Sequence, residues 1–224
     1  MIHHHPDQNL LLEYASGSLP LGPSLVIAAH VQLCAECRRQ YHALNSLGGS
    51  ILRQSPAQPL QAGAFERVMA RIERAPDGIP GNCETPPPSP PDAALADVPP
   101  VLGRLLAQNP PLRWEKVTRS LQICRLRTGQ KHYEVAFHRL CSGGEMAEHD
   151  HRGNELALVL NGSFSDQFGV YKRGDFILRQ PGQVHKPIAT QDQACVCLSA
   201  VSAPVAVTGI SGWLLNPLIP FRPG

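Results

Sequence analysis

His30, Cys34 and Cys37 place one imidazole and two thiols within a single eight-residue stretch. On a continuous helix, positions i, i+4 and i+7 lie within about a sixth of a turn of one another, so the three side chains would share a face. One nitrogen and two sulfur donors suit a tetrahedral metal of borderline softness, with zinc the first choice. A structural zinc needs a fourth donor, and the run His3-His4-His5 offers three candidates. His5 is favoured, because Pro6 fixes the backbone where the first helix begins. Two buried cysteines beside a helical histidine, with no metal, is the competing reading.

A second constellation lies more than a hundred residues later, in His149-Asp150-His151-Arg152-Gly153-Asn154-Glu155. His149 and His151 alternate onto one face of an extended segment. Glu155 follows at the expected start of the next strand, and His185 comes just after Pro181-Gly182. Imidazoles and a carboxylate converging from neighbouring strands make a transition-metal site. The run resembles the first cupin motif, with Gly143, His149-x-His151, Glu155 and Gly162 in its positions. The second cupin motif is matched in part by Gly174-Asp175 and Pro181-Gly182-x-x-His185, with Ala189 where its terminal Asn would stand. The resemblance implies His149, His151, Glu155 and His185 as ligands of zinc or another divalent transition metal. Glu148 and Asp150 are adjacent carboxylates with no assigned role.

Short helices must position the first cluster. Pro6-Asp7 opens one that Ser16-Gly17 stops. Pro23-Ser24 starts a second, which reaches His30 and pauses near Cys34. A third runs from about Ala35 to Gly48-Gly49. A detached fourth, Ala62 to Ala75, carries Phe65, Val68, Met69 and Ile72 at helical spacing. That stripe serves either the core or a partner's groove. From Trp114 the texture changes to strand-length segments, Tyr133–Leu140, Glu155–Leu160, Asp175–Leu178 and Ala194–Ala200, separated by Gly-containing turns. Such turn spacing predicts an all-β barrel or jelly roll.

Composition sets the frame. Proline supplies 22 of 224 residues, and the excess is concentrated in a stretch that includes Pro86-Pro87-Pro88 and Pro90-Pro91. Such a stretch neither continues a helix nor pairs in a central strand. The expected organisation is therefore a small all-α zinc-stapled helical bundle (1–75), a proline-rich linker (76–100) and an all-β cupin barrel (101–224). A helical unit this small benefits from a metal staple. The net charge of +2 and the missing basic recognition helix argue against direct DNA binding. No apolar run approaches the ~18 residues of a membrane span, and no signal peptide is evident. A cytoplasmic protein is expected, with its seven cysteines reduced by default.

The pairing of a His-x3-Cys-x2-Cys helical unit with a single cupin resembles the ChrR-type anti-sigma factors. The resemblance spans nearly the whole chain. It includes His4-His5, Leu11-Leu12-x-Tyr14-Ala15-x-Gly17, the His30/Cys34/Cys37 cluster, the cupin ligands and Cys195-Val-Cys197. It implies that the helical unit binds an extracytoplasmic-function sigma factor and keeps it from core RNA polymerase. It also implies that the cupin is needed to respond to an oxidative signal. Cys195 and Cys197 share a strand face and are either a reactive pair or fillers of the barrel. The resemblance predicts a protein that is not an enzyme. A metal-dependent, dioxygenase-like cupin enzyme with an appended zinc-binding assembly domain is the alternative.

Overall fold

The computed structural model describes residues 1–74, 95–107, 112–209, 216 and 221–224. Residues 76–94 of the expected linker, with Cys83, lie outside the described residues.

Helix α1 (Gln8–Ser16) is capped by the Asp7 side chain, which accepts from the Leu10 N–H at 2.8 Å, and ends at Gly17 with φ 74°. Helix α2 (Leu21–Leu33) starts two residues before the expected position. Pro23 sits in its first turn, where a missing N–H costs no helical bond. Helix α3 (Ala35–Gln54) runs through Gly48-Gly49, where the sequence predicts a stop. Glycine costs a helix only about 1 kcal/mol, and the break comes at Ser55-Pro56, since a residue before proline is pushed out of the helical region. Helix α4 (Ala64–Arg74) has no buried residue. Helix α5 (Pro100–Ala107), absent from the sequence-based reading, starts at a diproline, lies against α2 and buries Leu102.

The strands are β1 (Glu115–Lys116), β2 (Leu121–Leu126), β3 (Glu134–Leu140), β4 (His149–His151), β5 (Glu155–Asn161), β6 (Ser163–Asp166), β7 (Gly169–Lys172), β8 (Phe176–Arg179), β9 (Ile188–Ala189), β10 (Cys195–Val201) and β11 (Val205–Val207). They form a six-stranded sheet in the order β1-β2-β3-β10-β5-β8, a three-stranded sheet β7-β6-β9 and a pair β11-β4. Every pairing is antiparallel.

Strand alternation gives the large sheet two buried faces. Leu156, Leu158 and Leu160 of β5, Val196, Leu198 and Ala200 of β10, and Phe176 of β8 pack with Val26, Ile27 and Ala29 of α2 and Leu11 of α1. The intervening residues Ala157, Val159, Ile177 and Cys195 turn to a second core with Phe164 and Tyr171. The helices thus share a core with the sheet. Helix α2 approaches it so closely at Gly22 that a Cβ there would stand 2.8 Å from Tyr133. Among the described residues no single helix is long and apolar enough to cross a membrane. The α1–α2 pair meets that test only together, and it is bent by 109°.

Candidate metal centres

The four donors nominated near the N-terminus converge: the ligand atoms of His5, His30, Cys34 and Cys37 all lie within 4.8 Å of one another. They do so by a different route from the one the spacing suggests. A single helical face does not carry the cluster. His30 belongs to α2 and Cys37 to α3, while Cys34 interrupts the helix with φ −99° and ψ 110°. Cys34 caps α3 instead, its sulfur accepting from the Cys37 N–H at 3.5 Å. The bend turns the two thiols and His30 toward an extended N-terminal segment that carries His5.

His5 Nδ1 stands 3.4 Å from both the Cys34 and the Cys37 sulfur, and His30 Nε2 stands 3.3 Å from Cys37. A tetrahedral ion with bonds of about 2.0–2.3 Å separates its donors by roughly 3.3–3.8 Å, so the set fits such an ion. His30 Nδ1 donates to the Gly174 carbonyl at 2.9 Å, which leaves Nε2 as the free donor. Burial pushes His30 down to about 4, against the raising effect of the Gly174 bond. Burial, with the neighbouring Cys34 thiol, pushes Cys37 up to about 12. His3 and His4 lie outside this group of donors, and their backbone N–H groups donate to Asp175 Oδ1 at 2.7 and 3.1 Å.

The second cluster gathers His149 and His151 from β4 and His185 from the segment after β8. His185 Nε2 is 3.0 Å from Nε2 of both His149 and His151. His149 Nδ1 donates to the Ala147 carbonyl at 2.8 Å, and His185 Nδ1 donates to Asp166 Oδ2 at 2.9 Å. In the neutral rings these bonds leave Nε2 as the ligand atom. The three ring nitrogens converge closely enough to hold a metal ion. Glu155 stands at the edge, its Oε2 3.4 Å from His151 Nε2, outside the group whose donors all lie within 4.8 Å. Burial works against its charge, but the His151 and His138 imidazoles hold its carboxyl below the usual range. Burial pushes His149 down to about 4 and lowers His151 as well.

A cavity of about 60 Å³ adjoins this cluster, lined by His149, His185, Glu155, His138, Cys195 and Cys197 among others. The Cys195 and Cys197 sulfurs are 3.8 Å apart. The contact with Cys195 and burial both keep the Cys197 thiol protonated. His138 also lines this cavity, with its Nε2 3.4 Å from Ser199 Oγ.

Two carboxylates near the histidines are occupied structurally. Glu148 accepts from Thr208 Oγ1 at 2.6 Å, and Asp150 Oδ1 accepts from the backbone N–H groups of His151 and Gly182. Sequence reasoning missed Asp166, whose Oδ2 serves both His185 and Arg179 Nη2 at 2.9 Å. Burial opposes its ionisation, yet these bonds and the Phe168 N–H hold its carboxyl well below the usual range. Nothing in the local sequence marks it, because its partners come from other strands. The sequence-nominated stripe on α4 stays in solvent, with Phe65 69% and Ile72 60% exposed.

Residues 103–203 match the ChrR cupin-like domain family. The chain is 34% identical over 217 residues to the anti-sigma-E factor ChrR of Cereibacter sphaeroides, covering 96% of this chain and 97% of that protein. It is also similar to a chain in the crystal structure of Rhodobacter sphaeroides SigE in complex with the anti-sigma ChrR. That similarity has a TM-score of 0.74 and 30% identity, over 90% of this chain and 99% of the other.

Proposed function

The chain belongs to the ChrR family of anti-sigma factors, and from that premise we propose that it sequesters an extracytoplasmic-function sigma factor through its helical unit. The observation that carries the reading is α4, a helix with an apolar stripe and no buried residue. It is attached to a bundle gathered around four metal-type donors. Phe65, Val68, Met69 and Ile72 suit a helix-in-groove contact with a helical partner. His5, His30, Cys34 and Cys37 hold zinc in this reading, and the zinc ties the first turn of chain to the α2–α3 bend, so that its binding energy supports the bundle.

His149, His151 and His185, with Glu155 alongside, hold zinc or another divalent transition metal. This half senses and does not turn over substrate. Its cavity of about 60 Å³ is far below the ~300–1,000 Å³ of a small-molecule site. It has room for a peroxide-sized oxidant beside Cys195 and Cys197, the candidate redox-sensitive thiols. The neighbouring carboxylates Glu148 and Asp150 are committed to backbone and hydroxyl bonds. An oxidative signal received there releases the sigma factor. The protein acts in the cytoplasm, where sigma factors meet RNA polymerase, without touching DNA itself.

Co-purification tests the reading. The full chain, co-expressed with its cognate sigma factor, is expected to elute as a complex with metal in both clusters. A sigma factor that elutes alone, from a folded and metal-loaded chain, would contradict it.

A further inference from the structure

The four donors of the helical cluster divide into two pairs by what holds them. The α2–α3 bend fixes the thiols of Cys34 and Cys37. The β-domain fixes the imidazoles, and it does so from one place, the turn between β7 and β8. Gly174 offers its carbonyl to His30 Nδ1 at 2.9 Å. Asp175 accepts from the His3 and His4 N–H groups through Oδ1, and from the Lys172 N–H through Oδ2 at 2.8 Å. Phe176 N–H donates to the His4 carbonyl at 3.0 Å. The backbone immediately before His5 is thus bonded on both sides to residues 175 and 176. Packing closes the same joint, since a Cβ at Gly174 (φ 93°) would stand 2.5 Å from Ile2 Cδ1. The His4 ring lies 4.8 Å from that of Tyr171.

The turn also reaches the other cluster. Arg179 Nη2 donates to Tyr171 Oη at 2.6 Å and to Asp166 Oδ2 at 2.9 Å. Asp166 Oδ2 in turn accepts from His185 Nδ1. The two strands flanking that turn, β7 and β8, therefore bear on the imidazole donors of both clusters.

We propose that Gly174 and Asp175 are the outer coordination shell of the helical metal site, so that the β-domain sets how tightly the sigma-binding half holds its metal. The proposal rests on reading His5, His30, Cys34 and Cys37 as a metal site. Groups that orient ligands from outside are worth about 10–100-fold in metal affinity. Asp175 is a positioning residue here. It is 1% exposed, and its hydrogen bonds reach the donors through the backbone ahead of His5.

Cobalt substitution of the full-length chain gives the test. The thiolate-to-cobalt absorption reports the helical site alone, because the donors of the other cluster are imidazoles and a carboxylate. In a competition with a soluble chelator, Asp175→Ala is expected to lose this absorption at a roughly 10–100-fold lower chelator concentration than the unmodified chain. Asp175→Asn keeps an acceptor oxygen for His3 and His4 and is expected to stay within a few-fold of the unmodified chain. An Asp175→Ala chain that matches the unmodified one overturns the proposal alone. Equal loss in both variants also overturns it, because the damage would then not follow the His3 and His4 bonds. An unmodified chain that never develops the absorption overturns both the proposal and the metal reading beneath it.

Discussion

Asp166 Oδ2 lies 2.9 Å from His185 Nδ1, on a carboxylate whose side chain is fully buried. Through that bond the ring of His185 is held with Nε2 toward His149 and His151.

Asp166→Ala is therefore expected to lower metal affinity at the three-histidine cluster by about 10–100-fold. The same change strands Arg179 without its carboxylate, which costs a further few kcal/mol of stability in a buried setting. Metal content after dialysis against a weak chelator, read beside a urea melt, checks both. Full retention of two metals by a folded variant would show that Asp166 does not orient the ligand.

The metal-free chain is expected to lose stability as pH falls from about 6.5 to about 4. Burial lowers His30 and His149 to about 4 in the folded state, against an ordinary value near 6.5. In that window the unfolded chain binds more protons than the folded one, so the folded state is penalised, by up to ~1.4 kcal/mol per pH unit for each histidine. Below about 4 both states are protonated and the loss levels off. Urea midpoints of the chelator-treated protein at pH 7.5, 6 and 5 measure it. A flat profile would mean that neither imidazole is buried neutral.

Phe65→Ala with Ile72→Ala is expected to weaken sigma-factor binding at least ~10-fold, as loss of interface anchors does. Because both side chains are exposed, the urea midpoint should change by no more than about 0.5 kcal/mol in equivalent stability. Loss of stability without loss of binding would assign the stripe to the core after all.

A protease site engineered between residues 76 and 94 tests the shared core. The two halves are expected to co-elute after cleavage, because Val26, Ile27 and Ala29 of α2 pack with Leu156, Leu158 and Leu198 of the sheet. Separate elution of two folded pieces would contradict that packing.

Much of this arrangement is legible in the residues. The donors His30, Cys34 and Cys37 are close in sequence, and so are His149 and His151, so their spacing alone nominates them. Apolar runs of strand length mark β5 and β10, and Asp7 and Gly17 mark the ends of α1. What escapes is set by contacts between distant segments. The pause near Cys34 is legible, but the way the bend there brings the thiol to His5, 29 positions away, is not. Gly48-Gly49 looks like a stop, but no tertiary contact there outweighs the continuing helical ladder. The bond from His30 to Gly174 spans 144 positions and that from Asp166 to His185 spans 19. Neither leaves a local pattern. The shared core is hidden for the same reason: the apolar outer face of the sheet reads as ordinary strand until α2 is seen lying on it.

Competition with core RNA polymerase tests the central claim most directly. The purified cognate sigma factor is mixed with the metal-loaded full chain and then with core enzyme, and holoenzyme formation is measured. The account predicts that the unmodified chain blocks holoenzyme formation and that a Cys34→Ser, Cys37→Ser chain, lacking the helical-site metal, does not. Holoenzyme forming equally well with and without the unmodified chain would contradict it, as would full inhibition by the metal-free double variant.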